Sequence, residues 1–219
     1  MEKNAVPDVV NLSTEKSSTT PSPGKTESIP TAKTVKTRKT KSPEKKESTI
    51  TYKEKLHESM LRLAGDERVV FIGQGLLEDE PFYGTLTGID KTRMLEMPCA
   101  EILSTGTAIG LALTGWIPVL LFQRMDFMLL AADQLINHAA LFPEMSGGKI
   151  RVPMIIRACI GSSNTKFEVG WQHNKDFREL FRPYMKMYEC NAQTIEQAFQ
   201  IPTEMTMTIE WKDNYNEVV

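Results

Sequence analysis

The chain has little cysteine and little histidine, three of each in 219 residues. Cys99, Cys159 and Cys190 are widely spaced and odd in number, so they make neither a CxxC metal pattern nor a disulfide framework. A reducing compartment is the expectation. No run approaches the roughly 18 apolar residues that a membrane span needs, so no membrane partner is expected. Nothing behind Met1-Glu2-Lys3-Asn4 resembles an apolar signal-peptide core, and the early residues include acids that transit peptides avoid. Cytoplasmic is therefore the default location. Charge of one sign is also lacking: 26 basic residues face 28 acidic ones, which argues against nucleic acid as the main partner. Neither GxGxxG nor GxxxxGK[ST] occurs, so Gly73-Gln74-Gly75 is not a phosphate loop and a dinucleotide-binding α/β protein is excluded.

Aromatic residues are missing altogether from residues 1–48, where Ser, Thr, Pro and Lys dominate. Such a segment cannot bury enough apolar surface to offset its ordering entropy. We expect a disordered tail over 1–48 and one folded domain over 49–219. The cluster Lys36-Thr37-Arg38-Lys39-Thr40-Lys41 suits a solvated tether better than a binding arm.

What is present reads as alternating helices and strands. Tyr52, Leu56, Met60, Leu61 and Leu63 lie on a helical stripe, which Gly65 is expected to end as a left-handed cap. His57 on this helix reads as an exposed surface histidine. Val69-Val70-Phe71-Ile72-Gly73 is a short, wholly apolar strand of the type found in parallel sheets. Residues 76–93 read as a polar loop turning near Tyr83-Gly84, and 93–98 as a short strand. Gly115 then turns the chain into a buried strand ending at Phe122, and Gln123 to Phe127 form the loop at its C-terminal end. A second apolar helix is expected from Phe127 to Ala140, with His138 as a structural residue on it. A strand follows over 150–157, then a long loop from Gly161 to Asn174. A short helix over 192–199 and a closing strand with one apolar face (Met205, Met207, Ile209, Trp211) complete the pattern. Right-handed crossovers make this an α/β three-layer sandwich with a mainly parallel sheet.

The centre of the chain is residues 98–148. Glu101 immediately precedes an apolar, small-residue helix in which Gly106 and Gly110, and Ala108 and Ala112, are four apart. Small residues at that spacing let a helix approach a neighbouring backbone. An acid at the mouth of such a helix is either a cap favoured by the helix dipole or a group with a tuned pKa.

The order Pro98-Cys99-Ala100-Glu101, then Gln123-Arg124-Met125-Asp126-Phe127, then Met145-Ser146-Gly147-Gly148 and the strand behind it, resembles one family. That family is the beta subunit of the thiamine-diphosphate-dependent component of 2-oxo acid dehydrogenase complexes, and in particular its transketolase-like pyrimidine-binding domain. The resemblance covers roughly residues 51–211.

It implies the following. Glu101 stands where the family's glutamate bonds the far pyrimidine nitrogen of thiamine diphosphate, a task for a carboxylic acid shielded enough from water to share a proton. Phe127 matches the aromatic that stacks on the pyrimidine, although a core aromatic at a helix start fits the local pattern equally well. Gln123 stands where the family often has methionine beside the ring. His173, in Gln172-His173-Asn174, matches a histidine that lines the substrate channel, with a plain surface-loop histidine as the alternative. Gln74 and Leu121 replace acids of the family, and the family's C-terminal domain is not expected here. Gly-Asp-Gly, which holds the diphosphate and Mg²⁺ in a second domain type, is absent. The implied partner is an alpha-like subunit carrying those ligands, with assembly into a heterotetramer. The implied activity is decarboxylation or acyl or aldehyde transfer on a 2-oxo acid or ketose. The competing expectation is a non-catalytic, truncated interaction subunit.

Overall fold

The computed structural model describes residues 50–161 and 170–219. The tail expected over 1–48, and the part of the expected long loop at 162–169, lie outside the described residues.

Helix α1 (Tyr52–Ala64) opens with a full capping box: Thr51 accepts from the Glu54 amide, and the Glu54 carboxylate accepts from the Thr51 amide. Gly65 closes it, but in the right-handed region (φ −67°), donating its N–H to Arg62 O. The expected left-handed cap is not formed, because the chain continues as a further tight turn towards β1 (Val69–Gly73). After β2 (Met94–Glu96) come α2 (Glu101–Leu113) and β3 (Ile117–Phe122). The remaining main elements are α3 (Phe142–Met145), β4 (Met154–Ile160), α4 (Arg178–Phe181), β5 (Lys186–Glu189), α5 (Ile195–Ala198) and β6 (Met205–Trp211).

The six strands form one sheet in the order β2-β1-β3-β4-β6-β5, and each neighbouring pair is parallel. Alternate residues along each strand enter opposite cores, as the period of two requires. Phe71, Val119, Leu121, Ile155 and Cys159 join α1, α5 and the 76–89 segment on one face. Ile72, Leu120, Phe122, Ile156 and Ile160 join α2 and the 125–139 segment on the other. Burial on both faces explains why β1 and β3 are continuous apolar runs and why β4 is one broken only by Arg157. The three-layer α/β architecture is therefore the one the sequence implies. No helix among the described residues is long and apolar enough to cross a membrane.

Several local expectations are corrected. The 76–93 segment is not merely polar: Leu76, Phe82, Leu86 and Ile89 are core residues beneath a charged exterior. The helix expected over 127–140 is a 3-10 segment (Met125–Ala131) followed by a π-helical one (Gln134–Ala139). Strand β4 begins at Met154, since Pro153 and its neighbour carry the chain in as an extended lead. Strand β6 does not close the sheet but lies between β4 and β5, and its Thr206, Thr208 and Glu210 are buried too. The small residues of α2 divide: Ala108 and Ala112 pack inward, whereas Gly106 and Gly110 are exposed. His57 is half-buried, its Nδ1–H donating to Thr85 O at 3.2 Å. His138 is exposed, with Nε2 3.3 Å from Asp133.

Candidate active-site cleft

In a parallel sheet, ligand sites open beyond the carboxyl ends of strands where the strand order reverses. Here that place is the end of β1, because the chain leaves it sideways to β2 and returns through α2 to β3 on the opposite side. A small cleft, open to solvent, lies there. It is lined by Gly73, Gln74, Glu101, Ser104, Leu121, Phe122, Gln123 and Phe127. Residues as far apart in sequence as Gly73 and Phe127 are thus brought together by one crossover.

Each lining residue has a local reason for its position. Gly73 ends β1 against β3: a Cβ there would stand 2.7 Å from Leu121 O, so only glycine permits the strands to meet at the cleft floor. Gly75 has φ +69°, and a Cβ on it would lie 2.6 Å from the Gln123 amide nitrogen. That amide donates to Gln74 O at 3.2 Å, while the Gln74 side chain donates to Pro98 O at 3.2 Å and accepts from Cys99 Sγ at 3.5 Å. The exit of β1, the lead into α2 and the exit of β3 are stitched together by two glutamines.

Sequence reasoning missed a third stitch, Glu96. Its carboxylate accepts from the amides of Gly75 (2.8 Å), Leu76 (2.6 Å) and Leu77 (3.2 Å), fixing the loop that forms one wall. An acid at the last position of a short edge strand, opposite a glycine loop, was the available signal. Tyr83 was also missed. It has φ +61°, its hydroxyl donates to Gln123 O at 3.1 Å, and Arg124 donates to both that hydroxyl and Gln123 O. The Gln123 main chain is held from two directions.

Glu101 is the first residue of α2, where Ala100 supplies no side-chain cap. It is half-buried, and among the described residues its carboxylate has no hydrogen-bond or ion-pair partner. The amino end of the helix favours its negative charge. Phe127, in the 3-10 segment Met125–Ala131, lines the same cleft. His173 is not among the lining residues. It is placed on the short 3-10 segment Trp171–His173, with its ring centroid 5.3 Å from that of Phe127 at an edge-on 63°. Asp126, next to Phe127, accepts from the Lys175 amide at 3.3 Å, and burial pushes its carboxyl above the usual carboxylate range.

The side-chain set suits an aminopyrimidine ring: one carboxylate free to bond a ring nitrogen and one aromatic face. Leu121 and Gln74 contribute no charge to it.

Comparison with known proteins bears on this geometry. Residues 45–165 match the model of the transketolase pyrimidine-binding domain. The pyruvate dehydrogenase E1 component subunit beta of Chlorokybus atmophyticus is 31% identical over 133 residues, covering 58% of this chain and 39% of that protein. Its mitochondrial counterpart from Saccharomyces cerevisiae is 33% identical over 134 residues, covering 59% and 36%. The acetoin:2,6-dichlorophenolindophenol oxidoreductase subunit beta of Bacillus subtilis is 31% identical over 149 residues, covering 60% and 43%. The matched region is thus well under half the length of these relatives. Among solved structures, a split-gene transketolase described as an inactive beta4 tetramer superposes with a TM-score of 0.55 at 18% identity, covering 75% of this chain and 52% of that one. That last likeness concerns the fold.

Proposed function

The chain belongs to the transketolase pyrimidine-binding domain family, and from that membership we propose that it contributes the pyrimidine half of a thiamine-diphosphate site. It acts as the beta-like subunit of a split enzyme that decarboxylates a 2-oxo acid, or cleaves a ketose, and transfers the acyl or aldehyde fragment. The observation that carries the reading is Glu101: an unpartnered carboxylate at a helix amino end, in one cleft with Phe127 and Gln123.

In this reading Glu101 bonds a pyrimidine nitrogen and moves a proton there, Phe127 stacks on the ring, and Gln123 borders it. His173, held against Phe127, serves the substrate side. Bound in this cleft, thiamine diphosphate supplies the electron sink for breaking the bond beside a carbonyl. The two pinned glutamines hold the walls in place, so little reorganisation accompanies ring binding. The diphosphate and Mg²⁺ fall to an alpha-like subunit, since no Gly-Asp-Gly occurs in this sequence. Assembly as a heterotetramer follows the same reading.

One observation favours the second reading, a non-catalytic interaction subunit: Gln74 and Leu121 leave the cleft with Glu101 as its one acid. Calorimetric titration with thiamine diphosphate and Mg²⁺ separates the two. The catalytic reading expects no binding to the isolated chain and micromolar or tighter binding to the chain co-purified with an alpha-like partner. A stable pair that binds no cofactor would leave the scaffold reading in possession.

A further inference from the structure

Among the buried side-chain polar atoms without a hydrogen-bond partner are Asp126 Oδ2 and His173 Nδ1, with Asn174 Oδ1 beside the latter. Leaving either unsatisfied costs free energy, and two such orphans on adjoining segments would satisfy one another. Their segments are tied on both sides. The other oxygen of Asp126 accepts from the Lys175 amide, two residues beyond His173. Phe127, directly after Asp126, holds the His173 ring edge-on. From the opposite side Gly161, at the end of β4, lacks the Cβ that would stand 2.6 Å from His173 O. The His173 ring and the Asp126 carboxylate thus sit on segments that are tied to each other through Phe127 and Lys175.

We propose that Asp126 is a positioning residue for His173, its Oδ2 accepting a hydrogen bond from Nδ1–H, directly after a small side-chain rotation or through one water. Fixing the proton on Nδ1 leaves Nε2 with its lone pair, so that it can accept a proton from, or a hydrogen bond of, a substrate group. The charged groups facing Asp126 are Arg124 and His173, and the Lys175 backbone bonds it. Arg124 donates to Gln123 O and to the Tyr83 hydroxyl. The value of this arrangement to catalysis rests on the function proposed above. The arrangement itself does not.

The test therefore reads the imidazole directly. The full chain is labelled with ¹⁵N-histidine, and His173→Gln assigns the signal among the three histidines. The expected result is a His173 signal with the Nδ1–H tautomer favoured about tenfold, the size of a single net hydrogen bond near the upper end of its range. Asp126→Ala should reverse that preference and Asp126→Glu should restore it. A bare Nδ1 in the unaltered chain overturns the proposal without any substitution, and so does an unchanged tautomer in folded Asp126→Ala. In the assembled enzyme, Asp126→Ala should lower kcat more than it raises KM. Loss of cofactor binding by the unaltered pair would count against the proposed function and leave the tautomer result standing.

Discussion

Arg157 on β4 and Glu210 on β6 form a bidentate ion pair, both contacts at 2.7 Å, with both side chains wholly buried. They are diagonal rather than opposite, since Arg157 registers with Thr208 and Glu210 with Cys159. Thr85 accepts a third arginine bond at 3.0 Å, and Tyr215 donates to the glutamate at 2.8 Å. The pair joins two central strands to the 76–89 segment and the C-terminal turn. Removing one partner strands a buried charge, so Glu210→Ala should destabilise the chain by about 3–5 kcal/mol in urea unfolding. The double replacement Arg157→Met with Glu210→Leu should recover most of that loss.

Lys212 lies above the Tyr83 and Tyr215 rings, 3.4 and 4.1 Å from their centroids, and burial pulls its ammonium down to about 8. In the unfolded chain it titrates at the ordinary lysine value, so between the two the unfolded state binds more protons and this group favours folding as pH rises. Lys212→Met removes that dependence. Comparing melting temperatures at pH 7 and pH 10 should show the variant losing ground to the unaltered chain as pH rises. Parallel curves would contradict the assignment.

Gly75 is required by the Gln123 amide on one side and by its positive φ on the other. Gly75→Ala should cost at least about 1 kcal/mol from the left-handed conformation alone. It should also push Gln123 off Gln74 O, lowering cofactor affinity in the assembled enzyme. Calorimetry on the pair measures both effects.

Much of this was legible in the residues. Wholly apolar strands separated by helical stripes identified the parallel sheet, because burial on two faces leaves no alternation. Glu101, Gln123 and Phe127 were singled out through the family resemblance, and the crossover from β2 through α2 to β3 brings them to one cleft. Other features depended on partners distant in sequence. Phe82 and Leu86 sit among acids and turn residues and look solvent-facing until Arg157 and α1 close over them. Glu210 alternates like a surface residue on β6, and only the buried guanidinium makes its burial tolerable. The 125–139 segment has helical periodicity, but its 3-10 and π windings follow from packing against α2 and the sheet.

Phe127→Leu keeps an apolar contact while removing the ring that would stack on the pyrimidine. It should weaken thiamine-diphosphate binding to the assembled pair by about tenfold, the size of one aromatic pairing. It should also free the His173 ring, which near-ultraviolet or imidazole signals would register.

The most direct measurement is turnover of the assembled enzyme carrying Glu101→Gln. The amide preserves size and cannot move the proton, so the pair should assemble at unaltered stoichiometry while turnover falls by about 10²–10⁴, the range for loss of a general acid–base group. Turnover within a few-fold of the unaltered enzyme would contradict the central claim.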